Sequence, residues 1–212
     1  MKTDDLIRAL EADARATVMP QRSAWRLAAA TAVLLAAGVF FATIGPRPDI
    51  TEAAHTVRFL FKFVATIALA ASAFAMVRRL SIPGASTVRL APALLAAPLL
   101  MATAVVLEMA ATPAQEWLPR LVGRNMVVCL TFIPLIGAAP LALFVAVLRH
   151  GAPTRPGTAG AVAGLAAGGL AATFYAAHCT DDSPLFVASW YTIAIAALAL
   201  VGALAARRLA RW

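Results

Sequence analysis

Six apolar runs, each about 20 residues long, divide this chain, and about 20 helical residues is what a bilayer's hydrocarbon core takes to cross. They are Trp25–Ile44, Phe59–Val77, Leu90–Ala111, Met126–Leu148, Ala159–Ala177 and Leu185–Ala205. A backbone in hydrocarbon must satisfy its own hydrogen bonds, so runs of this length predict helices. The chain of 212 residues is 62% hydrophobic and 13% charged, too little polar surface for a soluble domain of its length. The expected fold is all-α: a polytopic membrane protein with six transmembrane helices.

Loop charge predicts the orientation. With the N-terminus cytoplasmic, the inner face holds Lys2, Arg8, Arg15, Arg22, Arg26, Arg78, Arg79, Arg89, Arg149, Arg155, Arg207, Arg208 and Arg211, which is 13 of the 18 Lys and Arg. The outer face keeps Arg47, Arg58, Lys62, Arg120 and Arg124. That bias favours both termini inside. It also accounts for the net charge of +8, which in a soluble protein would point to nucleic acid. No direct nucleic-acid partner is expected here.

Residues 1–24 read as a cytoplasmic head, 25–206 as the six-helix membrane domain and 207–212 as a short basic tail. In the head, Thr3 can cap a helix whose first turn carries Asp4 and Asp5. Leu6, Ile7, Leu10, Ala14 and Val18 fall at helical spacing, and Pro20 ends the pattern. The polar face mixes Lys2, Arg8 and Arg15 with Asp4, Asp5, Glu11 and Asp13. A helix lying on an anionic leaflet would be mostly basic. The balanced face favours a protein partner that takes the apolar stripe into a groove, over a purely lipid-bound helix.

Within the spans, Gly160, Gly164 and Gly168 repeat every four residues and predict close packing against another helix. Pro92, Pro98, Pro134 and Pro140 should each remove a helix hydrogen bond and kink spans three and four. Paired broken helices can mark a solute path, so a small-solute or metal transporter is the alternative function. Lys62 and Glu108 lie about one turn inside the outer ends of spans two and three. Charges at such depth are costly and tend to pair, which predicts a Lys62–Glu108 ion pair.

The two cysteines, Cys129 and Cys179, fall at matching depth near the outer face. Three readings stay open: small apolar residues in a packed helix, a thiol–disulfide switch, or a soft-metal site with His178 and Met126 as further ligands. A membrane thiol oxidoreductase is a further rival. Because His55, His150 and His178 fall in different loops, and no phosphate-binding loop or nucleophile elbow is present, neither an enzyme nor a cofactor is expected.

Three stretches carry a family likeness: Met1–Ala14 (MKTDDLIRALEADA), the run Arg149–Pro156 with the Ala/Gly-rich span after it, and His178–Tyr191 (HCTDDSPLFVASWY). They resemble NrsF-type proteins, negative regulators of the extracytoplasmic-function sigma factor F in proteobacteria. The resemblance runs over essentially the whole length. It implies a bacterial inner-membrane anti-sigma factor whose cytoplasmic part holds the sigma factor away from RNA polymerase. It implies too that a periplasmic cysteine pair, Cys129 and Cys179 by position, takes part in stress or heavy-metal signalling. Leu6, Ile7, Arg8, Leu10 and Ala14 would then be the partner-binding residues. The head lacks the zinc motif of soluble anti-sigma factors. Its small size puts weight on Arg78, Arg79, the loop Arg149–Pro156, or a homo-oligomer.

Overall fold

The computed structural model describes residues 3–5, 7 and 20–210. Six of its helices are long and apolar enough to cross a membrane. They are α1 (Gln21–Thr43), α2 (Val57–Leu80), α3 (Ala91–Ala111), α4 (Met126–Arg149), α5 (Pro156–Ala176) and α6 (Pro184–Leu209). Each matches an expected span to within a few residues. A single helical turn, Ile50–Ala53, sits between α1 and α2, and a short helix, Ala114–Val122, sits between α3 and α4. No strand occurs among the described residues. Of the head, Thr3, Asp4, Asp5 and Ile7 are helical and exposed. Leu6, Arg8, Leu10 and Ala14 lie outside the described residues.

Glycine and alanine explain why α5 is the centre of the bundle. Its buried positions are almost all Ala or Gly, so neighbouring helices approach its backbone. It packs against α6, α2, α4 and α1. A Cβ at Gly160 would strike the Gly202 carbonyl of α6, and one at Gly164 would strike the Leu198 and Ala199 backbone. Gly169 gives the same freedom to Ala70 of α2. The glycine repeat is thus a two-sided packing surface, as small residues at membrane helix contacts generally are.

α3 is peripheral. Only Ala97 and Glu108 of it are buried, and it rests on α2 and the start of α6. Its outward face carries Leu95, Leu99, Val106 and Leu107, as do exposed Leu34 and Phe41 of α1 and Leu200 of α6. This apolar girdle suits contact with hydrocarbon rather than water.

Pro92 behaves differently from expectation. Pro92 occupies the first turn of α3, where no intrahelical N–H bond is needed, so it starts the helix rather than breaking it. Pro98, Pro134 and Pro140 lie inside α3 and α4, which run on as unbroken helices. α6 carries the irregularity instead: Val187–Tyr191 forms a π-helical turn.

The helices alternate in direction, so the bundle has two ends. One gathers Gln21, Ser81, Gly151 and Arg207, as the Gln21–Ser81 hydrogen bonds and the packing around Gly151 and Gly157 show. The other gathers Arg47, Lys62, Glu108, Asn125, Cys179 and Ser183. They are termed below the arginine end and the cysteine end.

Candidate functional site

The loop from Ala177 to Ser183 ties the cysteine end together. Arg47 donates its backbone N–H to the Ala177 carbonyl at 3.0 Å. His178 Nδ1 lies 2.9 Å from the Gly45 carbonyl, so that nitrogen carries the proton. Lys62 reaches up from α2 to donate to the Cys179 carbonyl at 2.8 Å. The same ammonium pairs with Asp182 at 2.5 Å. Arg47 reaches the same carbonyl at 3.3 Å and bridges Asp182 and Asp49 at 3.0 and 2.7 Å. Asp49 raises the Arg47 guanidinium further above its already high range, and Arg47 in turn holds Asp49 below the usual carboxylate range.

The neighbouring acid does different work. Asp181 Oδ2 accepts from the backbone N–H groups of Arg124 and Asn125 at 2.9 and 2.8 Å, and from the Asn125 side chain at 2.9 Å. α4 has no cap from its own Asn125 side chain. Asp181 supplies that service from another loop, where a carboxylate also suits the helix dipole. Gly123 makes the approach possible: its φ is +59°, and a Cβ there would meet Phe186 and Asp181. Asn125 completes the tie by accepting from the Cys129 N–H at 2.8 Å and from the Tyr175 hydroxyl at 3.4 Å.

These contacts hold both thiols in one buried core. Cys129 and Cys179 are both fully buried and not bonded to each other. Tyr175 and Tyr191 are buried in the same core as the two cysteines. The two rings meet edge to face, 5.6 Å between centroids. Tyr191 is delivered by the π turn, a feature often found at functional sites. Its buried hydroxyl has no hydrogen-bond partner among the described residues. Burial raises the Cys179 thiol above its ordinary range, with Lys62 opposing the rise. The Cys179 S–H has a weak acceptor in the Asp181 carbonyl at 3.7 Å.

The expected Lys62–Glu108 pair does not form. Asp182 takes Lys62. Glu108, itself buried, pairs with Arg120 at 2.9 Å and Arg58 at 3.5 Å, and accepts from the Ser183 hydroxyl at 3.1 Å. Loop acids and a helix between α3 and α4 supply nearer partners than the facing span does. Arg120 belongs to the Ala114–Val122 helix, and Glu116 of that helix helps raise its guanidinium. His178 is committed to Gly45, and no three His, Cys, Asp or Glu converge on a metal-sized site among the described residues.

Sequence reasoning passed over Arg47, Asp181, Asp182, Tyr175 and Tyr191. The pair of acids directly after Cys179 was the available signal, since adjacent Asp residues in a short loop beside a thiol must face two different partners.

The comparisons settle the family. The family model described as NrsF, negative regulator of sigma F, matches residues 10–212. The chain belongs to the NrsF family. It is 39% identical to the anti-sigma-F factor NrsF of Caulobacter vibrioides, with 100% of each chain covered. It is 34% identical to the probable anti-sigma-F factor NrsF of Azospira oryzae, again over 100% of both. No solved structure matches it. For this NrsF-family chain the candidate site is the loop that gathers the two buried thiols.

Proposed function

We propose that this chain is a multi-pass inner-membrane anti-sigma factor, with the arginine end in the cytoplasm and the cysteine end in the periplasm. Its head, residues 1–24, holds an extracytoplasmic-function sigma factor through the stripe Leu6, Ile7, Leu10 and Ala14 with Arg8. Thiol oxidation or heavy-metal capture at Cys129 and Cys179 releases that partner. The family match over residues 10–212 carries the reading.

The charge distribution supports the sidedness. At the cysteine end Arg47, Arg58, Lys62 and Arg120 are all paired with acids. At the other end Arg22, Arg26, Arg78, Arg79, Arg89, Arg149 and Arg155 have no ion-pair partner among the described residues. Orientation follows the count of Lys and Arg, with acids contributing little, and that count is larger at the arginine end.

The site geometry supports the switch. Joining the sulfurs, or placing a soft cation between them, rearranges a loop that holds the start of α4, the end of α5 and the top of α2 together. A signal moves the bundle only through a difference in affinity for its two poses, and a buried, partly unsatisfied site provides one. The intramembrane charges Lys62 and Glu108 are both spent in this hub rather than along a solute path, which favours the regulator over a transporter.

The test is capture of the sigma factor on the intact protein with and without residues 2–19, alongside the double change Leu6→Asp and Leu10→Asp. Both alterations are expected to abolish retention and repression at unchanged protein level. Replacing both cysteines by Ser should abolish induction by oxidant or heavy metal while repression persists. Full retention by the headless protein would sink the head assignment.

A further inference from the structure

At the arginine end, α1 and α2 enclose a cavity of about 360 Å³. Arg22 and Arg26 of α1 and Arg78 and Arg79 of α2 line it, with Trp25 and Leu90 among its apolar walls. No described residue forms an ion pair with any of the four. Arg78 leans on the Phe74 ring, 5.9 Å from its centroid. Asp4 and Asp5 of the head are exposed and pair with none of these arginines.

Two of the arginines are placed against the local field. Arg22 and Arg26 occupy the first two turns of α1, whose first turn has no acid and whose Pro20 offers no side-chain cap. A helix N-terminus repels cations and attracts anions. Four converging guanidinium groups beside uncapped N–H groups need a negative charge to offset their repulsion. The positive-inside rule explains arginines scattered on this face, but not four on one concavity.

We propose that this cavity binds the headgroup of an anionic glycerophospholipid. The position of the walls decides between lipid and protein. Trp25 lies one turn into α1, and Ala75, also lining the cavity, one turn inside Arg79. The cavity therefore runs from headgroup depth into the apolar layer, where a phosphodiester would sit among the arginines with its acyl chains against Ala75, Ile82 and Leu90. An acidic protein segment has only the polar half of that match. Basic pockets between membrane helices hold such headgroups elsewhere, cardiolipin among them. Trp25 forms a rigid floor beneath the arginines: its Nε1 donates to Ser81 Oγ at 3.1 Å, and Phe74 and Phe144 pack on its ring.

The experiment uses the full chain in phosphatidylcholine bilayers doped with cardiolipin or phosphatidylglycerol, with retained lipid read by native mass spectrometry. Both anionic lipids should stay bound and phosphatidylcholine should not. R22Q/R26Q/R78Q/R79Q should lower anionic-lipid retention at least about tenfold. The matching set of four Lys changes should keep most of it, which separates charge loss from misfolding, and R89Q/R149Q, on the same face outside the cavity, should change little. Deleting residues 2–19 should leave retention intact. The assignment is overturned if the Gln set binds as much lipid as the parent, or if R89Q/R149Q loses as much. Displacement by glycerophosphate as readily as by intact lipid would also overturn it. So would a Gln set that keeps its lipid but loses the sigma factor or the head, which would make the cavity a protein-docking site.

Discussion

The Lys62 ammonium and the Cys179 carbonyl oxygen lie 2.8 Å apart in a fully buried contact. One cation from the second helix thereby holds the backbone of the loop that carries the second thiol. The same ammonium pairs with Asp182, so the loop is fastened at two successive points. Lys62→Met would keep the aliphatic stem and remove the charge, leaving Asp182 to Arg47 alone and one hydrogen bond fewer on the Cys179 carbonyl. Breaking a buried pair costs about 3–5 kcal/mol. Asp182 is partly exposed and keeps Arg47, so the expected loss is about 2 kcal/mol. Thermal unfolding in detergent micelles measures it. A change indistinguishable from that of an exposed, unpaired variant such as R89Q would show the fastening to be unimportant.

Asp181 acts on the other thiol. It caps the helix that begins three residues before Cys129, through three hydrogen bonds from Arg124 and Asn125. Asp181→Asn keeps the shape and an oxygen toward the three donors but removes the charge. The expected cost is about 1–2 kcal/mol. The start of α4 should fray more readily, seen as faster hydrogen exchange at Arg124–Cys129, with α1 and α3 unchanged. Asp182→Asn should instead leave the α4 amides protected.

Much of this architecture was legible in the sequence, because hydrocarbon allows a backbone so few solutions. Span positions, the glycine face of α5 and the alternation of its ends all follow from run length and small-residue spacing. The partners of Lys62 and Glu108 did not follow. Their pairing depends on where short loops fold back, and Asp182 and Arg120 sit on a seven-residue loop and an extra amphipathic helix that no long periodicity announces. Pro92 was misread for a related reason: at the first turn of a helix proline costs nothing, and a shift of a residue or two in the boundary decides whether it starts or breaks the helix. The π turn at Val187–Tyr191 leaves no mark in composition at all, yet it ends on the buried Tyr191.

The α5–α6 contact should be the least tolerant surface in the bundle. At Gly164 any side chain would overlap the Leu198 carbonyl and the Ala199 backbone, which cannot rotate aside as a side chain can. Gly164→Leu should cost at least about 3 kcal/mol and lower the yield of monodisperse protein. Gly38→Leu is the control, since nothing lies within 4 Å of its missing Cβ, and it should be nearly neutral.

The pH dependence of Cys179 follows from its burial. Burial raises the thiol above its ordinary range, so the folded state keeps a proton that the unfolded or opened loop releases. The stabilisation this provides is fully present below the ordinary thiol pKa of about 8.5 and is lost as pH rises toward the folded value. Because the thiolate is the reactive form and the sulfur is 0% exposed, alkylation must await opening of the loop. A membrane-impermeant maleimide should therefore label Cys179 slowly at about pH 7, and more steeply with pH than an exposed thiol does between about pH 7.5 and 9.5. Lys62→Met and Asp181→Asn should both speed labelling at constant pH, by about tenfold for each 1.4 kcal/mol of stability they remove from the loop. If the parent protein labels as fast as an unfolded control at neutral pH, the thiol is not protected in the way its surroundings require. The loop could not then act as a latch.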